Sequence, residues 1–529
     1  MTKSRDIASK QSDSNSNTAY GTNALIANTT GTENVAVGLN TLDANTTGVN
    51  NIGIGRGALG ANTIGGYNVA VGTAALGANT SGSLQVAVGH VALSSNTSGT
   101  SNTALGTYAL QLNTTGSSNT AVGHQTLTNN TFGANNVAVG TASQYFNTTG
   151  YSNVSMGVNC LGANTTGFAN SAFGTGALQN NTTGYENVAI GNGAMGANTL
   201  GSRSVAIGHV ALGGNTTQFD NIAIGWGSMA GLNTGYQNVG IGYRTLIANT
   251  SGYYNLAMGQ EALAANTTGN SNVAIGGLSL DANTTGFVNT AVGHASLSAN
   301  TIGVANVALG AGALLSNTTG NDNVAVGYDA NNANTTGVHN VAIGRNALRG
   351  NGTGNIGVGS FALGANTTGV YNTAIGYGAS DASTTGSYNI TLGYLSEPSS
   401  TTVSGECTLG DGNITNLRCN DTSISSLSDG RDKTDIIDSP YGLDFLNTVK
   451  VRQYKWATRE GNAKDGTTRL GFIAQELLEA ADGNNDVLDL VYESNPDRLE
   501  AKYGNLIPVL AKAIQELSAK VAELEAKVN

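Results

Sequence analysis

Charge is what this chain has least of. Only 10% of its 529 residues are Asp, Glu, Lys or Arg, against about 25% in an average soluble domain. Basic residues are the scarcer sign, 22 against 33 acidic, for a formal net charge of -11. Nucleic acid and anionic membrane surfaces are gripped by clustered Lys and Arg that displace counterions. No such cluster occurs, so neither is an expected partner. Cysteine is almost as rare: Cys160, Cys407 and Cys419 are odd in number and widely spaced. They build no disulfide framework and no CxxC metal pair, and they read as small buried residues or free thiols. No run of 18 apolar residues exists, the least a membrane-spanning helix requires, and the polar segment 1–16 contains no apolar stretch of the signal-peptide kind. The expectation is a chain that neither inserts into a membrane nor is Sec-exported, and that reaches any extracellular site by lysis or within a particle. No cofactor and no metal are expected.

Glycine is in excess, at 75 residues, roughly twice the average usage, while a 39% hydrophobic content argues against disorder. The excess has a period. From Asn17 a 17-residue unit recurs with the consensus Asn-Val-Ala-Val/Ile-Gly-x-x-Ala-Leu-x-x-Asn-Thr-Thr-Gly-x-x, starting at Asn34, Asn51, Asn68 and onward to Asn340. One unit is two residues short, and Asn355, Asn372 and Asn389 follow, for 23 units in all. A fixed period of this kind is the signature of a solenoid. Positions 2 and 4 (Val35 and Val37, Ile52 and Ile54) alternate with a small residue, a β pattern. The unit therefore reads as two short strands and two turns, with Gly at positions 5 and 15 supplying φ > 0 and Asn-Thr-Thr-Gly as turn chemistry. Each coil looks too thin to enclose a core. The Val/Ile face and the Ala-Leu pairs (Ala58-Leu59, Ala75-Leu76) are thus expected to find partners in adjacent coils and adjacent chains, as a homotrimer. At about 4.8 Å per coil the stack would extend roughly 110 Å. The unit resembles the Asn-Ser-Val-Ala-Ile-Gly repeats of trimeric autotransporter adhesin heads, lengthened by a few residues and without their signal peptide or membrane barrel.

Positions 6, 16 and 17 vary most, as solvent-facing sites do. Position 16 carries Tyr151, Phe168, Tyr185, Phe219, Tyr236, Tyr253 and Phe287, with Tyr67, Tyr254, Tyr371 and Tyr388 at position 17. Tyr151, Phe168, Tyr185, Tyr236 and Tyr253 are candidate glycan-contact aromatics, since rigid amphipathic rings serve recognition surfaces; packing against neighbours is the competing explanation. His90, His124, His209 and His294 all fall at position 6 but in non-adjacent coils, which offers no two-His metal site. The Asn-Thr-Thr ladder also matches glycosylation acceptors and, as a flat Thr row, an ice-binding surface, although turn formation accounts for it.

Charge returns after the array: residues 406–529 hold 14 of the 22 basic and 21 of the 33 acidic residues, a compositional boundary. The organisation expected is a polar segment 1–16, a repeat shaft 17–405, a divergent last coil and linker 406–427, and a second domain 428–529. In that domain Val449 to Trp456 alternates like a strand and Gly471 to Ala480 turns into a helix. Tyr503, Ile507, Leu510, Ile514, Leu517, Val521, Leu524 and Val528 are spaced alternately four and three, the seam of a coiled coil over 503–529, with docking onto its own domain as the alternative. Pro508 is tolerable only near the helix start. At the junction stands Ser428-Asp429-Gly430-Arg431-Asp432-Lys433. A serine becomes nucleophilic when a base takes its proton, and a lysine does so once burial or a neighbouring cation lowers its pKa. Arg431 would provide such a field and Asp429 and Asp432 oppose it; otherwise Ser428 N-caps a short helix and Lys433 is solvated.

Three motifs in order, Ser428 to Lys433, Gly471-Phe472-Ile473-Ala474-Gln475-Glu476, and the helix from Tyr503 to Leu517, closely resemble the C-terminal intramolecular chaperone of endosialidase tailspikes and other phage tail fibres. The resemblance implies an α+β domain that trimerises, sets the register of the fibrous part and then cuts itself off through a Ser-Lys dyad. Carried over, it makes Ser428 the nucleophile, Lys433 the base and Leu427-Ser428 the broken bond, with Asp429, Arg431, Gln475 and Glu476 as candidate supporting residues. A repeat of near-identical coils needs such a register, because slips by whole units cost little.

The fold expected is an all-β solenoid of 17-residue coils in a trimeric rod, followed by a small α+β chaperone domain ending in a coiled-coil helix. The function expected is host-surface adhesion by a phage tail fibre, located in the virion, bound to other tail proteins and to a bacterial receptor or glycan. Its single catalytic act would be self-cleavage. A glycan-degrading tailspike is the main alternative, but the ten carboxylates of residues 17–405 are scattered singly (Glu33, Asp43, Glu186, Asp220), where glycoside hydrolysis uses a facing pair. A membrane-tethered transcription factor with a similar self-cleaving domain would need a basic DNA-binding module and a transmembrane helix.

Overall fold

Three-residue strands recur in every coil, and they are what the 17-residue period produces. The computed structural model describes residues 11–12, 15–411, 413–414, 418, 428–455, 467–493, 497 and 499–528; Leu427, Cys419 and Trp456 lie outside them. The chain divides into two compact units, 1–336 and 337–529.

In the first unit each coil contributes one strand, at positions 2–4, from Thr18–Tyr20 to Val324–Val326. Neighbouring strands pair in parallel with a register of one unit, so that Val35 faces Ile52, Ala36 faces Gly53 and Val37 faces Ile54. The second strand expected per coil does not form. Positions 6–11 are instead a run of turns in which positions 7 and 9 are left-handed, as at Asn40 (φ 53°) and Leu42 (φ 51°). A left-handed non-glycine costs about 1–2 kcal/mol. Complete burial of the leucine, 0% exposed at Leu42, Leu59 and Leu76, returns about 1.5–3 kcal/mol, so burial wins.

The coil does enclose a core, contrary to the expectation from its length, because the side chains inside are small. Ala36, Ala70 and Ala87 point inward from the strands and pack with Ala58-Leu59 and Ala75-Leu76. The flanking Val and Ile at positions 2 and 4 point outward, leaving Ile52 and Ile54 exposed. Two buried asparagine columns complete the interior. Asn34 is fully buried and bonded within the stack: its backbone N–H donates to Asn17 Oδ1 at 2.9 Å, its Nδ2 donates to Gly48 O at 2.9 Å, and its Oδ1 accepts the Asn51 N–H at 3.0 Å. Asn45 Nδ2 donates to Asn28 Oδ1 at 2.9 Å and to Gly48 O at 3.1 Å. Thr46 Oγ1 donates to Thr63 O at 3.0 Å in the next coil. The Asn-Thr pair is thus consumed between coils.

The two conserved-looking glycines of the unit have different causes. From Gly21 to Gly393, position 5 sits at φ between +122° and +143°, as the turn requires. Position 15 is not left-handed; there a Cβ would stand 2.4 Å from both Asn45 Oδ1 and Gly65 O in the case of Gly48. Close approach of consecutive coils, not φ, excludes a side chain at that position.

The second unit continues with strands Val341–Ile343 to Cys407–Leu409. The short unit keeps its strand register, Val341 opposite Ile356, and absorbs the two missing residues in the turn, where Asn340 Nδ2 still reaches Gly352 O at 2.7 Å. Beyond the linker come helix α1 (Leu443–Leu446), an antiparallel pair Arg452–Tyr454 with Arg469–Gly471, helices α2 (Ala474–Ala481) and α3 (Asn485–Leu488), a second pair Val491–Tyr492 with Glu500–Ala501, and the 23-residue helix α4 (Leu506–Val528). Leu477, Ala481, Leu488, Leu490, Val491, Leu506 and Val509 form its core. Helix α4 starts later than the heptad pattern, with Tyr503–Asn505 as a 3-10 turn, so Pro508 falls in its first turn, where no N–H is missed.

Candidate active site

Residues 428–440 are exposed along their whole length. A single 3-10 turn, Gly430–Asp432, organises their start; Asp429 rather than Ser428 caps it, accepting the Arg431 backbone N–H at 2.9 Å. The turn folds the chain so that Lys433, whose N–H closes onto Gly430 O, comes back over Ser428. Lys433 Nζ donates to Ser428 Oγ at 2.5 Å. Serine and lysine are therefore brought together by local geometry alone.

Arg431 does not act as the neighbouring field suggested by its place in the sequence. Its guanidinium grips the Asp429 carboxylate, Nη2 to Oδ2 at 2.5 Å and Nε to Oδ1 at 3.0 Å. That pair holds the Asp429 carboxyl below the usual carboxylate range and the Arg431 guanidinium above its own. Glu476 is likewise committed, to Arg452 at 2.5 Å, and the hydrogen bonds from that guanidinium lower its pKa. Gln475 is exposed, with no hydrogen bond among the described residues. The scissile carbonyl expected at Leu427 lies outside the described residues.

Two apolar surfaces accompany the Ser428–Lys433 contact. Ile436 and Ile437, three and four residues past Lys433, are 73% and 81% exposed. The heptad residues, Tyr503 in the 3-10 turn and Ile507, Leu510, Ile514, Leu517, Val521, Leu524 and Val528 on α4, are all exposed, while Leu506, Val509 and Ala513 are buried. The helix thus docks on its own domain by one face and leaves the heptad row uncovered on another. Gly471 of the second motif is required by packing: a Cβ there would lie 2.7 Å from the Tyr503 hydroxyl, which receives the Phe472 N–H at 3.1 Å.

The aromatic residues of the array stack on one another. Tyr151, Phe168 and Tyr185 are parallel within 4° at centroid distances of 4.9 and 5.0 Å, and Phe219, Tyr236 and Tyr253 continue at 5.6 and 5.2 Å. Arg203 joins the two stacks, donating to the Tyr185 hydroxyl at 3.2 Å, lying 5.6 Å from the Phe219 centroid and pairing with Asp220 at 2.8 Å. Inner rings of such stacks have both faces occupied, leaving their edges to solvent. His209 stacks on Trp226 at 6.0 Å, and His90 and His124 flank Tyr108 edge-on. Cys160 is buried, and desolvation pushes its thiol up to about 12. No described helix is long and apolar enough to cross a membrane.

No curated protein and no solved structure matches the chain. Residues 428–486 match one family model, a peptidase family described as chaperone of endosialidase. The match begins at the serine that Lys433 contacts and runs through the second motif into α3. Residues 428–486, which follow the β-solenoid, are thus similar to a family of self-cleaving intramolecular chaperones.

Proposed function

We propose that this chain is a phage tail-fibre protein that acts as a homotrimer in attachment to a bacterial surface, and that its C-terminal domain trimerises, sets the register of the coils and then severs the Leu427-Ser428 bond. The observation that carries the reading is the 2.5 Å approach of Lys433 Nζ to Ser428 Oγ at the first residue of the family match.

In the chemistry proposed, Lys433 in its neutral form takes the Ser428 hydroxyl proton and Oγ attacks the Leu427 carbonyl carbon. The Leu427-Ser428 C–N bond breaks as the serine nitrogen takes up a proton, leaving an ester between Leu427 and Ser428 Oγ. Water hydrolyses the ester, giving a Leu427 carboxylate and a free Ser428 amine. In the single chain the polarity is the reverse of what attack needs, since the lysine donates to the hydroxyl. Loss of a lysine proton is favoured by burial. Covering Ile436, Ile437 and the α4 heptad row with two further copies would provide it, so assembly precedes cleavage. Removal of the chaperone then makes disassembly kinetically difficult. The outward rows of positions 2 and 4 are the surface through which the shaft would trimerise, since position 4 is apolar in every coil from Val37 to Leu409, although position 2 carries a hydroxyl at Thr103, Thr120, Ser171, Thr290 and Thr373, and water otherwise covers such an apolar row.

Mass spectrometry of the expressed full-length chain tests the proposal. A mature product ending at Leu427, absent in Ser428→Ala and Lys433→Ala, is the expected result; an intact wild-type chain refutes the dyad.

A further inference from the structure

Coil 136–152 replaces the buried leucine of position 9 by a polar residue, as Asn331 and Ser380 do in two other coils, and it differs from those in placing two aromatic residues directly after it. Where the unit has Ala-Leu-x-x, with small or polar residues in the last two places of its neighbours, coil 136–152 has Ser143-Gln144-Tyr145-Phe146. Gln144 takes the place of a buried leucine and is itself fully buried. It is held by a polar island absent from ordinary coils: its Nε2 donates to Ser155 Oγ at 2.9 Å and to Val137 O at 3.2 Å, and Ser143 Oγ lies 2.6 Å from Ser155 Oγ. Gln144 Oε1 has no partner among the described residues. Burying an amide in place of a leucine is unfavourable, and such local departures in an otherwise consistent sequence concentrate at functional sites.

Directly outside this island Tyr145 and Phe146 stand edge to face, 4.7 Å apart at 90°. The next coil places Gly162 and Ala163 at the same two positions, so the step from large to small side chains opens a cleft of about 370 Å³. Such a volume is at the lower end of ligand pockets, roughly 300–1,000 Å³. Gln125, Asn159, Gln179 and Asn180 line it with the two rings. None of these four amide side chains has a hydrogen-bond partner among the described residues, and no charged residue lines the cleft. Unlike the inner rings of the Tyr151–Phe168–Tyr185 stack, at least one face of Tyr145 or Phe146 is free of another ring.

We infer that this cleft is a binding site for a neutral saccharide. A free aromatic face accepts the apolar C–H face of a pyranose, and primary amides both donate to and accept from vicinal hydroxyls. The absence of Lys and Arg disfavours uronate, sialate or phosphorylated glycans, which call for cationic partners. The inference rests on the attachment reading and specifies the chemistry of what is bound.

The test is calorimetric titration of the purified full chain with maltohexaose, cellohexaose and chitohexaose, and with hexagalacturonate as an acidic probe, beside adsorption of the same chain to bacterial cells. Expected is binding of a neutral hexasaccharide that weakens about tenfold or more, the loss of a 1.4 kcal/mol contact, in Tyr145→Ala. The same should hold in the surface variant Gln179→Ala/Asn180→Ala, whose residues are exposed and whose thermal melting should be unchanged. Binding by hexagalacturonate alone, no binding by any neutral member, or neutral binding that neither variant weakens would overturn the inference. Adsorption to cells without neutral-sugar binding would overturn the cleft and leave attachment standing. Cleft-dependent sugar binding without adsorption would do the opposite.

Discussion

Glu516, ten residues into α4, turns its carboxylate onto the start of α1, where Oε2 accepts the backbone N–H of Leu443 at 2.8 Å. The contact ties the C-terminal helix to the segment that follows Ser428 and Lys433 across 73 residues. Gly442 makes it sterically feasible, since a Cβ there would lie 2.4 Å from the same carboxylate. A hydrogen bond to a charged group contributes about 1.5–3 kcal/mol. Glu516→Ala and Gly442→Ala should each destabilise the domain by that order, measured as loss of amide protection at residues 443–447 in a Ser428→Ala background. The double variant should cost clearly less than the sum, as residues sharing one contact do; full additivity would show that the contact is not what Gly442 protects.

The two faces of α4 predict two phenotypes. Leu510 and Leu517 are exposed in the single chain while Val509 and Ala513 are buried. Leu510→Asp/Leu517→Asp should leave the domain folded, each surface change shifting stability by about 0.5 kcal/mol or less, yet abolish trimers in light scattering. It should also suppress cleavage although Ser428 and Lys433 are untouched. Val509→Asp should instead unfold the domain. Cleavage at the wild-type rate by a chain held monomeric would end the claim that assembly precedes it.

The period, the solenoid and the approach of Lys433 to Ser428 were legible because their causes are local or repeated. Asn at positions 1 and 12 and Gly at 5 and 15 recur for reasons that act identically in every coil, and Lys433 reaches Ser428 within one turn. What was misread has nonlocal causes. A 17-residue coil looks too thin to enclose a core, but its turns bring Leu42 inside against the small Ala36 of the strand, a fact about closure rather than hydropathy. Gly48 looked like a φ > 0 residue, whereas the carbonyl that excludes a side chain there belongs to Gly65, 17 residues on. Arg431 was expected to act on Lys433 and Glu476 to support the dyad; their charges are taken by Asp429 and Arg452, and the latter pairing spans 24 residues that no motif spacing encodes. The cleft at Tyr145 and Phe146 was available to inspection as a break in the consensus, but departures from a repeat are hidden when the unit is averaged.

The asparagine and glycine columns should be sharply position-dependent. Gly167→Ala would force a Cβ to 2.3 Å from Asn164 Oδ1 and 2.4 Å from Gly184 O, whereas Gly77→Ala meets nothing nearer than Ala74 O at 3.2 Å. Overpacking of this kind costs about 1–3 kcal/mol. Asn170→Ala should cost about as much, because the buried Asn187 backbone N–H would lose its acceptor at 3.1 Å, an orphaned group costing about 1–3 kcal/mol, while Asn187 Nδ2 keeps Gly201 O and Gly184 O keeps Asn181 Nδ2. Thermal unfolding followed by circular dichroism should rank Gly77→Ala near wild type and the other two well below it. Equal melting of all three would show that the coils do not depend on these columns.

The last coils carry a liability at neutral pH. Burial raises the carboxyl pKa of Glu397, an effect that the negative charge of Asp381 adds to and that hydrogen bonds from the Ala382 and Asp381 backbone oppose; Asp381 is itself raised by burial. A carboxylate whose folded pKa lies above its unfolded value, 4.5 for a glutamate, binds more protons folded than unfolded in the interval between the two. Stability is therefore lost as pH rises through that interval and regained as it falls. The coils around Ala382 should be more stable in mild acid than at neutral pH, opposite to the usual behaviour of paired carboxylates. Glu397→Gln keeps an oxygen for the Ala382 N–H, which the carboxylate accepts at 3.2 Å, and removes the charge. The variant should raise amide protection at residues 380–384 at pH 7, with the advantage fading toward pH 4.5 and below. A Gln variant less protected at pH 7 would mean that the ionised Glu397 is stabilised by a partner of opposite charge rather than penalised by its burial.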